Sequence, residues 1–270
     1  MSLFRCPICQ SPLVREEKSY ICTNRHCYDI SKEGYVNLLP ANRKHAKDPG
    51  DDKGMTDARN RFLERGYYAP LREELCRLIE GNHPKALLDS GCGEGYYTAG
   101  ICQQLRQAGM DVQCAGVDLS RSALKRAARR DKQAEFAVGS VYHLPLEENS
   151  VDVILNCFSP LALDEFKRVL RHGGMFLYVV PGAKHLWELK QVLYTNPYEN
   201  AEEQISYEGF SYEQIVPVEF TMDLDAAALA DLFRMTPYYW KTPQEGARRL
   251  AELDRLRVSA SFRIHIFRLD

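Results

Sequence analysis

The chain has 270 residues, 45% of them hydrophobic and 27% charged, with a net charge of -2; this length suits one large domain plus a small one, and this balance excludes disordered and fibrous classes. The first residues, Met-Ser-Leu-Phe-Arg-Cys, form no apolar leader, and no apolar run approaches the roughly 18 residues of a membrane span, so a cytoplasmic protein without a membrane segment is expected. Nine cysteines, four of them within the first 27 residues and five scattered without pattern, argue for metal and against disulfides.

Residues 4 to 39 read as a small metal-pinned β module, with short apolar stretches at Tyr20-Ile21-Cys22 and Tyr35 to Leu39. Cys6-Pro7-Ile8-Cys9 is a C-x-x-C knuckle, and Cys22-Thr23-Asn24-Arg25-His26-Cys27 follows after twelve residues. Two thiolates from each half, or three and an imidazole, complete a tetrahedral zinc site, and spacing leaves the choice between His26 and Cys27 open. A redox pair needs a βαβ context, which this segment lacks. Four protein ligands leave no open position for water, so the metal is structural. Residues 1 to 47 carry eight Lys/Arg against four Asp/Glu, whereas the remainder carries 27 against 33; a surface for a polyanion therefore belongs at the N-terminal end.

Pro40 to Gly54, with Arg43, Lys44, Lys47 and Asp48-Pro49-Gly50, reads as a linker or mobile loop. Helical spacing from Met55 to Ile79, interrupted by Gly66 and Pro70, predicts two lead-in helices. Strand runs at 86–88, 112–117, 135–138, 151–156 and 175–180 then alternate with helical stretches at 96–107, 121–130, 161–170 and 184–193, which predicts a mostly parallel sheet covered on both faces. The tail adds strands at 215–222 and 258–269 around helices near 226–234 and 243–253, which suits an antiparallel pair at the sheet edge. The cluster Arg121, Lys125, Arg126, Arg129, Arg130 and Lys132 falls on one helix and reads as a solvated face rather than a binding patch.

Gly91, Gly93 and Gly95 follow a strand and open a helix, where a ligand can approach bare backbone. The spacing is G-x-G-x-G, not the G-x-G-x-x-G of dinucleotide sites, and Asp89 stands two residues before it. A carboxylate there repels a pyrophosphate but suits a ligand bearing an ammonium and a sulfonium. Asp118 ends the next strand, where ribose hydroxyls are bound in switch-point geometry. Together these residues favour S-adenosylmethionine over NAD. The pattern resembles class I methyltransferases over roughly residues 68 to 270, which implies a Rossmann-like, mostly parallel seven-stranded α/β sheet. Gly139-Ser140-Val141 stands where many such enzymes place an acid near adenine; the backbone of Ser140 and Val141 is the alternative contact.

The motifs Cys6-x-x-Cys9, Cys22-x-x-x-His26, Lys32 to Pro40, Asp48 to Asp51, Ala58-Arg59 with Phe62-Leu63, and Gly91 to Tyr97 jointly resemble the bacterial 23S rRNA guanine-N1 methyltransferases over nearly the whole chain. This resemblance implies zinc on Cys6, Cys9, Cys22 and His26, with Cys27 a neighbour. It implies cofactor contacts at Tyr68, Gly93, Glu94 and His185, the last within Pro181-Gly182-Ala183-Lys184-His185-Leu186-x-Glu188-Leu189. It further implies a homodimer whose zinc modules line a cleft for 23S rRNA domain II near hairpin 35. Resistance-type relatives choose neighbouring guanines in that hairpin, so a link to macrolide resistance belongs to the same resemblance. The domains expected are a zinc-binding RNA-recognition module (1–40), a linker and lead-in helix (41–67) and the methyltransferase domain (68–270).

Guanine N1 carries a proton that a base or ordered water must accept, and no carboxylate stands out for that role. Asn156, at the end of the fourth strand in Asn156-Cys157-Phe158-Ser159-Pro160, is the candidate for orienting the guanine edge; attack at N1 needs no covalent adduct with Cys157. Phe158, Tyr238, Tyr239 and Trp240 are candidate stacking surfaces for an extruded base. A small-molecule methyltransferase and a non-catalytic cofactor-binding RNA module are the rival functions.

Overall fold

The computed structural model describes residues 2–40, 53–202 and 206–270. In chain order the elements are β1 (Leu13–Glu16), β2 (Ser19–Cys22), β3 (Cys27–Asp29), β4 (Tyr35–Asn37), α1 (Lys53–Glu64), α2 (Ala69–Gly81), β5 (Ala86–Ser90), α3 (Tyr96–Gln107), β6 (Gln113–Asp118), α4 (Arg121–Arg130) and β7 (Glu135–Val138). They continue with β8 (Val151–Cys157), α5 (Leu163–Val169), β9 (Leu170–Pro181), α6 (Trp187–Leu193), β10 (Phe210–Asp225), α7 (Ala226–Met235), α8 (Tyr238–Lys241), α9 (Gln244–Ala251) and β11 (Arg255–Leu269). Residues 41–52 of the expected linker lie outside the described residues, and its last two, Lys53 and Gly54, begin α1 instead.

Helix boundaries follow local chemistry. Met55, Ala58, Phe62 and Leu63 give α1 one buried stripe, and Gly66 ends the turn in the left-handed region, its amide donating to Leu63 O at 2.9 Å. Pro70 sits in the first turn of α2, where its missing N–H costs nothing. Ser120 caps α4 by accepting from the Ala123 amide, and Asp225 caps α7 by accepting from Ala228.

The seven strands expected form one sheet in the order β10-β11-β9-β8-β5-β6-β7, parallel from β9 to β7 and antiparallel at β9-β11-β10. An eighth strand extends it. β4, read as part of the small module, pairs in parallel with β7 in the register Tyr35↔Phe136 to Asn37↔Val138. Its central Val36 is 1% exposed, so its apolar run satisfies both its backbone and its side chain on the large sheet.

The module proper, the antiparallel meander β1-β2-β3, docks beside that edge. Glu135 of β7 accepts Tyr20 OH at 2.7 Å and the Leu3 amide at 2.9 Å. Phe4, Leu13, Tyr20 and Val36 join Leu88, Val117, Ile154 and Phe176 in one core on one face of the sheet. Burying one such side chain contributes roughly 1.5–3 kcal/mol, so this docking supports a meander too small to hold itself together. On the other face, Leu71, Leu75, Ile101, Leu105, Leu189 and Leu229 bring α2, α3, α6 and α7 onto the sheet.

The expectation of no disulfides is corrected at one place. Cys102 of α3 and Cys114 of β6 are joined, with Cα atoms 6.4 Å apart, because α3 lies directly against β6 and both side chains are buried there. Among the described residues no helix is long and apolar enough to cross a membrane.

Candidate functional site

Of the residues singled out in the sequence, the glycine loop with Asp89, Asp118, Asn156 and His185 collect at the carboxyl ends of β5, β6, β8 and β9, where open parallel sheets bind ligands. The glycine loop is clamped to β6: the Gly91 and Cys92 amides donate to Val117 O at 2.8 and 3.2 Å. Asp118 closes the clamp, its Oδ2 accepting the Gly93 amide at 2.9 Å and its Oδ1 accepting the Ser120 amide at 2.7 Å.

All three loop glycines have positive φ, but each is needed for a different reason. A Cβ on Gly91 would collide with Ser159 Oγ, and one on Gly95 would stand 2.7 Å from Ala127 Cβ of α4. Those two glycines allow protein to approach protein. A Cβ on Gly93 would meet nothing within 4 Å, so Gly93 alone presents bare backbone to open space.

Asp89 is buried at the end of β5, where Thr98 Oγ1 donates to its Oδ2 at 2.5 Å. Burial, reinforced by the nearby Asp118 and Glu94 charges, pushes its carboxyl up to about 7. Glu94 is also buried; burial raises its pKa, and the guanidiniums of Arg59 and Arg130 counter that shift. Both carboxylates are thus set in a place that favours a cation.

Tyr68 and His185, far apart in sequence, meet around Phe262: the Tyr68 and His185 ring centroids lie 5.0 and 4.6 Å from it and 6.4 Å from each other. His185 Nδ1 accepts the Ser261 amide at 3.3 Å, which leaves the proton on Nε2. Burial lowers its pKa to about 4, so the ring stays neutral and offers one donor. Four buried oxygens at this edge have no partner among the described residues: Ser90 Oγ, Tyr97 OH, Asn156 Oδ1 and Ser159 Oγ. Unpartnered buried polar atoms are costly. Ser90 Oγ, Tyr97 OH and Ser159 Oγ, together with the open face of Gly93, fit a bound polar cofactor carrying positive charge, as S-adenosylmethionine does.

Asn156 is 0% exposed and donates through Nδ2 to Pro160 O at 3.0 Å, closing the loop that follows β8. Phe158 on that loop has φ +57° and is 50% exposed, with its ring 5.7 Å from Phe262. Of the other candidate stacking rings, Trp240 is 65% exposed, whereas Tyr238 faces the Lys190 amine and Tyr239 lies under the Arg234 guanidinium. The Ser140 carbonyl, an alternative adenine contact, is already used by the His143 amide at 3.1 Å.

In the N-terminal module, His26 Nδ1 lies 3.5 Å from Cys6 Sγ and 3.4 Å from Cys22 Sγ, and the Cys9 and Cys22 sulfurs are 3.6 Å apart. All four ligand atoms fall within 4.8 Å of one another. Zinc with metal–ligand bonds of about 2.0–2.3 Å has tetrahedral edges of about 3.4–3.8 Å, so the cluster fits the ion. Cys27, left open by spacing, is exposed on β3 and outside the cluster. Tyr28 OH lies 3.0 Å from Cys6 Sγ and supplies a hydrogen-bond partner that the sequence did not reveal. A cavity of about 550 Å3 lies against this knuckle, lined among others by Pro7, Ile8, Leu38, Ser140, His143 and Arg168.

The basic cluster on α4 is largely consumed. Arg126 pairs with Asp57, Arg129 with Glu33 at 3.0 Å and Arg130 with Glu64 at 2.5 Å, while Lys132 Nζ donates to Glu33 O at 2.7 Å. These residues fasten α1 and the N-terminal segment to α4.

Comparison with known proteins follows the same division. The zinc-ribbon family described as RlmA, N-terminal matches residues 4–47, and the Methyltransferase domain family matches residues 88–178. The chain is 35% identical over 264 residues to the 23S rRNA (guanine(748)-N(1))-methyltransferase of Streptomyces fradiae, covering 92% of this chain and 90% of that one. It is 34% identical over 268 residues to YxjB of Bacillus subtilis (strain 168), named for 23S rRNA (guanine-N(1)-)-methyltransferase activity, covering 93% and 92%. Among solved structures, the YcgJ protein of Bacillus subtilis superposes with a TM-score of 0.50 at 15% identity, covering 73% of this chain and 98% of that one.

Proposed function

The chain belongs to the 23S rRNA (guanine-N1)-methyltransferase family, and from that premise we propose how its residues divide the work and which guanine they address. The enzyme transfers a methyl group from S-adenosylmethionine to N1 of a guanine in 23S rRNA, with S-adenosylhomocysteine as the leaving group and the N1 proton passing to water. The observation that carries the reading is the docking of a Cys3His module, through Glu135 of β7, against the sheet that bears a glycine loop whose one open glycine is held by Asp118.

When bound, S-adenosylmethionine supplies an electrophilic methyl group beside a sulfonium charge. Asp89 and Glu94 favour that charge, Asp118 accepts from ribose hydroxyls while holding the Gly93 amide, and Gly93 lets the ligand lie against backbone. Tyr68 walls the pocket, and His185 offers its Nε2 proton to a cofactor acceptor. Guanine presents donors at N1 and at its exocyclic amine, and Asn156 Oδ1 is an unpartnered acceptor suited to that edge. Phe158 and Trp240, the exposed rings, stack on the extruded base. Holding nucleophile and methyl in line accounts for roughly 7–11 kcal/mol of the barrier.

The zinc module, with Arg15, Lys18 and Arg25 exposed on its surface, contacts RNA phosphates. Two copies form a homodimer in the cytoplasm, with hairpin 35 of domain II in the cleft between modules, and the division into residues 1–40, 41–67 and 68–270 follows these roles. Mass mapping of methylated guanine in 23S rRNA, with and without this gene, tests the proposal: one N1-methylguanine in hairpin 35 should vanish with the gene. A lost methyl group elsewhere, or none, overturns the assignment.

A further inference from the structure

Lys190, in the middle of α6, is 0% exposed. Among the described residues no carboxylate lies within salt-bridge distance of its ammonium. Nζ instead donates to Tyr198 O at 2.9 Å and to Asn200 Oδ1 at 2.8 Å, and it faces the rings of Tyr198 and Tyr238 at 4.7 and 5.7 Å. A buried cation is costly unless its donors are used and its charge is met by oriented dipoles or aromatic faces; here two dipoles and two rings take that part, with the more distant Glu199 charge beside them. Burial lowers its pKa. A methionine or leucine would fill the same volume without that cost, so the charge needs an explanation beyond packing.

What the ammonium holds leads back to the cofactor edge. Asn200, oriented by Lys190, donates from Nδ2 to Gly182 O at 2.8 Å, and its own amide donates to Ala183 O at 2.9 Å. The Ala183 amide in turn donates to Glu202 Oε1 at 2.8 Å. Gly182 donates to Ser261 O at 2.9 Å, and the Ser261 amide is the group that orients His185. Gly182 has no room for a side chain, since a Cβ would collide with Ser261 Oγ. The chain Lys190–Asn200–Gly182–Ser261–His185 is therefore a continuous set of hydrogen bonds ending on a residue of the cofactor pocket.

We propose that Lys190 is a positioning residue for methyl transfer: it fastens the 198–202 turn onto Gly182 and Ala183 and thereby fixes the His185 side of the cofactor pocket. The inference rests on the reading of Tyr68, Asp89, Gly93 and His185 as that pocket. Lys190 hydrogen-bonds to none of these pocket residues; it reaches them through Asn200, and its charge also helps to keep the His185 ring neutral.

The test is a double-mutant cycle of Lys190→Met and Asn200→Ala, read as S-adenosylhomocysteine affinity by calorimetry and as methylation kinetics on an rRNA fragment. Each single variant should weaken S-adenosylhomocysteine binding about tenfold and raise the KM for S-adenosylmethionine similarly, with kcat at saturating cofactor within about threefold of wild type. The double variant should be no weaker than the worse single one, because both break the same chain. Affinities within twofold of wild type in folded variants, or effects that simply add, overturn the proposal. If Lys190→Met does not fold, Asn200→Ala alone decides: unchanged affinity overturns the proposal, whereas a tenfold loss with unchanged thermal stability supports it. A wild-type protein that fails to bind S-adenosylhomocysteine refutes the pocket itself rather than the role of Lys190.

Discussion

Asp118 Oδ2 accepts the backbone amide of Gly93 at 2.9 Å, so the end of one strand holds open the loop that follows its neighbour. The three glycines of that loop then separate by experiment. Gly93→Ala places a Cβ in open space at φ +54° and should cost only about 1 kcal/mol of stability, yet it should weaken S-adenosylhomocysteine binding at least about tenfold. Gly95→Ala drives its Cβ onto Ala127 and should cost about 2–4 kcal/mol. Urea unfolding beside calorimetry checks both; equal stability losses would show that Gly93 also serves packing.

Asp89 makes cofactor binding depend on pH. Its carboxyl titrates near 7 in the folded protein because it is buried, so it is neutral in mildly acid solution, whereas a cationic ligand favours the carboxylate. Affinity should rise with pH up to about 7 and level off above it, by at most about tenfold per unit, with release of up to one proton below pH 7. The sign for folding is opposite: a raised folded pKa stabilises below the ordinary carboxylate range and loses that contribution as pH climbs through 7. Asp89→Asn should therefore bind without this pH dependence and, free of ligand, gain stability over wild type as pH rises from about 4 to 7. A wild-type binding curve flat across this range would refute it.

The loop was legible in the sequence because left-handed backbone demands glycine and because Asp89 and Asp118 end strands. Tyr68 and His185 were reached only through the family resemblance, and their meeting around Phe262 was not legible, since the rings come from the start of α2, the turn after β9 and the middle of β11, and only the closed sheet brings them together. Lys190 escaped for another reason: a lysine on a helix normally reads as solvent-facing, and its partners lie on an irregular segment with no periodicity. The ion pairs of the α4 cluster and the Cys102–Cys114 pairing depend likewise on packing between elements. β4 carried an apolar run, but nothing local told which sheet it would join.

Zinc binding should distinguish adjacent residues 26 and 27. Cys27→Ser removes an exposed thiol outside the cluster and should leave one zinc per chain and an unchanged Tm. His26→Ala removes Nδ1 from between Cys6 and Cys22 and should lose the metal and several kcal/mol, or about 10 °C in Tm. Metal analysis with differential scanning calorimetry reads the result, and retention of zinc by His26→Ala would move the fourth ligand elsewhere.

Basic residues should divide by location rather than by number. Arg129 and Arg130 are held by Glu33 and Glu64, so Arg129→Ala should lower stability by up to about 1 kcal/mol without changing the salt dependence of RNA binding. Arg15, Lys18 and Arg25 are exposed on the zinc module, and each alanine replacement should reduce the slope of log affinity against log salt by about 0.7–0.9 for every phosphate it leaves without a cation. A slope altered by Arg129→Ala would return the α4 face to the RNA surface.

Asn156 is the sharpest test of how the target base is held. Its Nδ2 closes the loop onto Pro160 O while its Oδ1 has no partner, although the whole side chain is buried. Replacement by Ala removes both functions and should lower kcat about 100-fold while S-adenosylhomocysteine affinity stays within about threefold, since no hydrogen bond joins Asn156 to the glycine loop among the described residues. Replacement by Asp separates the two functions, because a carboxylate keeps acceptors but cannot donate to the Pro160 carbonyl. If the acceptor holds guanine, Asn156→Asp should retain more turnover than Asn156→Ala; if closure of the loop carrying Phe158 and Ser159 is what matters, Asp should be as poor as Ala or worse, because it sets a negative charge against a carbonyl oxygen. Turnover equal to wild type in both variants would remove Asn156 from the reaction and leave Phe158, strained at φ +57° beside Phe262, as the group on this loop that meets the base.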